Sequence, residues 1–249
     1  MKVIMDTHLH TIASDHAYST ITECMEAAYL KGLRLIAFTE HCPKLLGAPT
    51  MIYFQNGKVI PKNYKGVEVL WGAELNILDF DGNVDLPQGL IKTLGVVIAS
   101  LHDIVIKPGA QEENTIALIS AMKNPYIDVI GHPGDPSYPI DIPKIVKAAK
   151  ETGTVLEINN SLLKPNWSPR SGGEAIVEAI VREAVKQGVY LIINSDAHYH
   201  EAIGDLCYAI QLVEKVGVPD ELLLNSSIEL FHSVISKKPH KNKPDLKWA

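Results

Sequence analysis

The chain has 249 residues, 46% hydrophobic and 21% charged, an ordinary globular composition for one large domain. Its 29 acidic against 23 basic side chains leave a formal charge of -6, which argues against a protein that coats DNA or an anionic membrane. Cys24, Cys42 and Cys207 are odd in number and widely spaced, so neither a disulfide framework nor a cysteine zinc site is indicated.

No apolar run approaches the ~20 residues of a membrane span. Lys2-Val3-Ile4-Met5 runs at once into Asp6, His8 and His10, unlike a secretory signal. A soluble protein in a reducing cytoplasm is expected.

In chain order, short Val/Ile-rich runs alternate with amphipathic segments. The first strand is read at Lys2 to Met5. A helix follows from about Ile21 to Lys31, with Ser19 or Thr20 able to cap it and Gly32 to close it. Leu35 to Thr39 is a second strand and Val67 to Leu75 a third. Val96 to Ser100 is a fourth, then a helix from about Glu113 to Met122. Val129 to Gly131 is a fifth, then a helix from about Ile142 to Glu151 with Asp141 as N-cap and Pro143 in its first turn. Val155 to Ile158 is a sixth, then a helix from about Glu174 to Lys186, and Tyr190 to Asn194 a seventh. The stretch from Cys42 to Lys65 reads as a long loop, and Asp81-Gly82 signals a hairpin turn. Continuous apolar strands alternating with helices imply a parallel α/β sheet, closed into a (β/α) barrel, with the open doubly wound sheet as the competing fold. Residues 1–236 are expected to form a single domain and 237–249 a surface tail.

Metal-liganding residue types stand just past nearly every strand. His8, His10 and His16 follow the first, His41 the second, Glu74 the third, His102 the fourth and His132 the fifth. Asp196 and His198 follow the seventh, while the sixth ends in Glu157-Ile158-Asn159-Asn160. In a parallel barrel these ends open on one face, where loop-borne active sites assemble. A lone histidine after a strand is ordinarily a satisfied polar group, but seven of ten histidines on one side of a sheet are not. Imidazole with carboxylate suits Zn, Fe or Mn, and the lack of cysteine ligands points to a catalytic site. His200, His232 and His240 fall out of step with this pattern.

Asp6-Thr7-His8-Leu9-His10-Thr11 with Ser14-Asp15-His16 resembles the opening motif of the PHP (polymerase and histidinol phosphatase) superfamily. Thr39-Glu40-His41, Gly72-Ala73-Glu74, Leu101-His102, Gly131-His132-Pro133 and Ser195-Asp196-Ala197-His198 are similar to its later motifs, in order. Glu157-Ile158-Asn159-Asn160-Ser161 and the overall length look most like the YcdX-like phosphatase branch. The resemblance implies a distorted (β/α)7 barrel, with the active site at the C-terminal ends of the strands, and a centre of three divalent transition-metal ions. Zinc comes first, with manganese and iron as alternatives. It implies His8, His10, Glu74 and Asp196 for one ion, His16, His41 and His198 for a second, and Glu74, His102 and His132 for a third. The family's usual Asp before the second-motif histidine is here Glu40, which bears on how His41 is oriented.

Three divalent ions against two carboxylates leave about +4 to be met by hydroxide and an anionic ligand. A small phosphate monoester fits, with in-line attack by a metal-bridging hydroxide and with Glu74 and Asp196 as catalytic carboxylates. Arg170, in Ser168-Pro169-Arg170-Ser171-Gly172-Gly173, is read as a phosphate clamp. Asn159 and Asn160 are read as orienting ligands or contacting substrate, and Asp103 as a proton donor or a partner of His102. The partner expected is a small phosphorylated molecule, with no membrane and no extended nucleic acid, and self-association into a homo-oligomer is left open. Competing readings are a nucleotide or oligonucleotide phosphoesterase, histidinol phosphatase itself, and a metal-binding protein without turnover.

Overall fold

Apolar strands buried on both faces and one-sided helices leave few ways to pack, and the computed structural model shows which was taken. It describes residues 3–165 and 172–235. The strands are β1 (Met5–Leu9), β2 (Leu35–Phe38), β3 (Asn63–Tyr64), β4 (Val67–Trp71), β5 (Ala73–Asn76), β6 (Val97–Ser100), β7 (Val129–Ile130), β8 (Val155–Asn159) and β9 (Leu191–Asn194). The helices are α1 (Ile21–Leu30), α2 (Met51–Gln55), α3 (Gln88–Ile91), α4 (Gln111–Met122), α5 (Ile142–Thr152), α6 (Asn160–Leu163), α7 (Glu174–Gln187), α8 (Cys207–Val216) and α9 (Ile228–Ile235).

Two sheets run in the orders β1-β2-β4-β3 and β5-β6-β7-β8-β9, parallel throughout except for β3 on β4. At one seam, β4 and β5 are a single path broken at Gly72. β4 pairs with β2 and β5 with β6, so the path changes sheets there. A Cβ at Gly72 would stand 2.4 Å from the Val96 carbonyl oxygen, which is why only glycine fits the break. The third expected strand is therefore two, and the bridge between His41 and Glu74 carries the pairing across the gap.

The other seam joins β9 to β1. There the backbone contributes the bridge of Leu9 to Ala197, and two asparagine side chains stand in for the missing ladder. Asn194 Oδ1 accepts from the Thr7 backbone N–H at 2.8 Å. Asn225 Oδ1 accepts from the Ile193 N–H at 2.7 Å, and its Nδ2 donates to the carbonyls of Ile193 at 2.8 Å and Met5 at 3.2 Å. With β4 and β5 counted as one path, seven parallel strands follow one another in chain order round a distorted barrel.

Alternate strand residues separate the layers. Ile98, Val129, Val155 and Ile192 meet from four strands in an inner cluster, floored by Phe231 of α9. Their neighbours Val97, Leu156, Ile158, Leu191 and Ile193 pack outward against helices. The inner row turns polar toward the strand C-termini, from Val155 to Glu157 and Asn159, and from Ile192 to Asn194. Helix ends follow the sequence signals. Thr20 and Glu23 form a capping box on α1, and Asp141 caps α5 by accepting from the Lys144 N–H at 3.2 Å. Helix α8 has a C-terminal signal in Gly217 but no side-chain cap at its start.

Candidate metal centre

The polar ends of the inner rows converge at one end of the barrel. Glu74, on β5 just past the Gly72 break, is fully buried at the centre. Its Oε1 lies 3.4 Å from His8 Nε2, 3.2 Å from His102 Nε2 and 3.1 Å from His132 Nε2. Its Oε2 lies 2.6 Å from His41 Nδ1 and 3.7 Å from His10 Nε2. Asp196 Oδ1 lies 3.2 Å from His10 Nε2 and 3.6 Å from His8 Nε2. His16 joins through His41, Nε2 to Nε2 at 3.2 Å, and His198 stacks obliquely on His10 and His16. All nine residues expected as ligands thus stand in one cluster.

These spacings carry information. Donor atoms on a tetrahedral ion with bonds of about 2.0–2.1 Å stand about 3.3 Å apart. Two imidazole nitrogens that point at each other at 3.2 Å need something shared between them. His8 Nε2, both nitrogens of His10, His41 Nδ1, Glu74 Oε2 and Asp196 Oδ1 are buried and make no aligned hydrogen bond, even where Glu74 Oε2 stands 2.6 Å from His41 Nδ1, an arrangement that is costly unless a cation satisfies it. Three groups of these side chains bring ligand atoms within 4.8 Å of one another: His8, His10 and Glu74; His10, His41 and His198; His41, Glu74 and His102. The donor set fits divalent transition metals.

Neighbouring groups aim the rings. His8 Nδ1 lies 2.7 Å from Glu157 Oε1, and a carboxylate only accepts, so Nδ1 donates and Nε2 faces the cluster. Against burial, the charges of Glu157, Glu74 and Asp196 hold His8 well above the usual imidazole range, so a cation bound at Nε2 would displace a proton. His102 Nδ1 lies 2.7 Å from Asn76 Oδ1, whose own Nδ2 is spent on the Cys42 carbonyl and Asp85. Burial and the facing rings of His41 and His198 hold His10 well below the usual imidazole range, and burial pushes His41 down to about 4. Both are therefore neutral and ready as ligands at pH 7. Burial opposes charge on Glu74, but His102, His8 and His41 outweigh it and hold the carboxyl well below its usual range. Asp196 is lowered in the same way, against burial, by His8, His10 and His198. The backbone is strained here as well. Besides Lys65, the non-glycine residues with positive φ among those described are His132 and Asp196, at 30° and 55°.

Residues 6–161 match the PHP domain family. The chain belongs to the PHP family. It is 47% identical over 242 residues to a probable phosphatase of Thermoanaerobacter pseudethanolicus, covering 97% of this chain and 98% of that one. It is 43% identical over 238 residues to a probable phosphatase of Acetivibrio thermocellus, covering 96% and 97%. Its fold is similar to the crystal structure of histidinol phosphate phosphatase from Lactococcus lactis complexed with zinc, L-histidinol and phosphate. The TM-score there is 0.64 at 17% identity, over 87% of this chain and 95% of that one.

Within this PHP site several expectations need correcting. His8 lies inside β1, not past it, because β1 runs to Leu9. Glu40 does not reach His41. Its carboxylate accepts from the Thr11 backbone at 2.9 Å and from the Thr11 and Ser14 hydroxyls, fastening the loop that carries His16. Asn160 is fully buried, donates to the Asp205 carbonyl at 2.9 Å and accepts from the Ala209 N–H at 3.0 Å. It ties α6 to α8, and the substrate contact expected of it is not made available. Asn159 Nδ2 lies 3.2 Å from Asp196 Oδ2 and holds that carboxylate in place. The support of His102 falls to Asn76, which leaves Asp103 exposed beside a cavity of about 210 Å³ at His16, His41 and His102. Arg170 lies outside the described residues. His200 bonds Ser19, and His232 bonds Glu68.

Sequence reasoning passed over Glu157. Besides His8 it accepts from the His132 backbone N–H at 2.7 Å and from the amides of Asn194 at 2.9 Å and Asn159 at 3.1 Å. A glutamate within an apolar strand run was the available signal, since such a residue is rarely buried without a task. Asn76, two residues beyond Glu74 on the same face of β5, offered the same cue.

Proposed function

We propose that this protein is a metal-dependent phosphatase that hydrolyses monoesters of small phosphorylated molecules. The observation that carries the reading is the set of buried, unpartnered ligand atoms round Glu74. The family membership and the naming of its relatives as probable phosphatases support it. His8, His10, Glu74 and Asp196 would hold one divalent ion, His16, His41 and His198 a second, and Glu74, His102 and His132 a third. The ion is zinc first, with manganese or iron as alternatives. When bound, such ions supply positive charge for phosphate oxygens and lower the pKa of water toward about 7.

The chain's own residues prepare that chemistry. A metal-bound imidazole carries no charge, so seven of them with two carboxylates would leave a loaded centre short of negative charge, and a phosphate monoester dianion would complete it. Glu157, Asn76 and Asn159 hold His8, His102 and Asp196 in place, so little is reorganised during reaction. Arg170 is proposed, from the sequence, to grip a phosphate oxygen. No described helix is long and apolar enough to cross a membrane, and the free cysteines suit a cytoplasmic location.

The test is turnover of para-nitrophenyl phosphate against bis(para-nitrophenyl) phosphate by metal-loaded protein. The monoester should be preferred by at least about tenfold in kcat/KM. Preference for the diester would favour a nucleotide or oligonucleotide phosphoesterase. Inactivity of fully loaded protein on both would favour metal binding without turnover.

A further inference from the structure

The three proposed ions do not have equivalent ligands. The first has Glu74 and Asp196, and the third has Glu74. The second has His16, His41 and His198 alone. A carboxylate adds its charge to a ligand set and a neutral imidazole does not. The hold on the second ion therefore depends more on how well its rings are placed beforehand. It is also the outermost, since His16 is exposed and His198 half-buried while the other ligands are buried.

One loop draws these three rings together. His16 rides on the stretch from Thr11 to Ser19, which closes on itself where the Ile12 N–H donates to the Ser19 carbonyl at 2.9 Å. Near its far end the Tyr18 N–H donates to the His198 carbonyl at 2.8 Å. Near its start the anchor is Glu40, the residue before His41. The Glu40 carbonyl accepts from the Glu74 N–H at 3.0 Å, which fixes its main chain to β5. Its carboxylate, on a residue only 1% exposed, accepts from the Thr11 N–H at 2.9 Å and from three hydroxyls: Thr11 at 2.5 Å, Ser14 at 2.6 Å and Tyr53 at 3.4 Å. Apart from Tyr53, each of these donors belongs to the loop of His16. Hydrogen bonds to an ionised group are the stronger kind, and a buried carboxylate needs them. A ligand on an untethered loop binds its ion only at the cost of ordering that loop.

We propose that Glu40 is a positioning residue for the second ion, and that this ion is the exchangeable one of the three. This rests on the three-ion reading above. The test titrates zinc-loaded protein with a chromophoric chelator and counts the retained ions by elemental analysis. In the parent, one ion should be held at least about tenfold more weakly than the other two, and His16→Ala should hold only the firm pair. Glu40→Ala should weaken the labile ion further, by about tenfold to a hundredfold, and leave the other two within about twofold. Ser14→Ala removes a single tether, should weaken the same ion by about threefold to tenfold, and decides the question should Glu40→Ala misfold. Three ions of equal affinity in the parent, an unchanged labile ion in the folded variant, or equal weakening of all three ions overturns the proposal alone. Fewer than three ions in the loaded parent overturns the three-ion reading, and the proposal with it.

Discussion

Glu74 brings its carboxylate within 3.7 Å of five imidazoles. Glu74→Gln keeps the shape but removes a charge and a ligand oxygen shared by two proposed ions. Its activity should fall further than that of His198→Ala, whose ring is 27% exposed at the edge. Near-normal turnover in Glu74→Gln would show that its role is structural. Glu157→Gln tests support without ligation. The amide can no longer anchor both the His8 ring and the His132 peptide, so metal affinity should drop by about tenfold to a hundredfold in a competition titration. An unchanged affinity would reduce Glu157 to core packing. Arg170→Ala should lower kcat/KM by about tenfold to a hundredfold with metal content intact, and Arg170→Lys should recover only part. At this scale the ligand types were legible because seven histidines and two carboxylates fall in step with the strands. Asn160 was misread because burial cannot be seen in a local motif, and Glu157 was passed over because its partners come from three other strands.

The elements were legible where pattern and propensity agree. The caps of α1 and α5 stand where Thr20 and Asp141 predict them. They were not legible where the site overrides the pattern. Asp6, Thr7 and His8 fall past the expected end of the first strand, yet all are buried in β1, because the cluster and the seam satisfy them. The third strand read as one because single residues alone interrupt the apolar positions from Val67 to Leu75, and only the packing of Val96 against Gly72 reveals the break. The seam between β9 and β1 yields its own prediction. Asn225→Ala leaves the Ile193 N–H and the Met5 and Ile193 carbonyls without partners in a buried place. Unfolding by urea should show a loss of about 1–3 kcal/mol. A change under about 0.5 kcal/mol would mean that the seam closes without it.

At the scale of the whole molecule, a barrel that gathers nine metal-liganding side chains at one mouth, seven of them buried, is held together best with cations in that mouth. Ions that bind the folded chain alone stabilise it by mass action, by about 2.7 kcal/mol for a site at a hundredfold excess over its Kd. Stripping with a chelator should therefore lower the melting temperature, and restoring zinc or manganese should raise it again. An unchanged melting temperature would mean that the unpartnered atoms of His8, His10 and Asp196 are satisfied in another way. The most direct measurement of the central claim is elemental analysis of protein purified without chelator, taken alongside its rate on para-nitrophenyl phosphate. The account predicts close to three divalent transition-metal ions per chain, with activity that rises and falls with that content. One ion or fewer in a fully active preparation would contradict it.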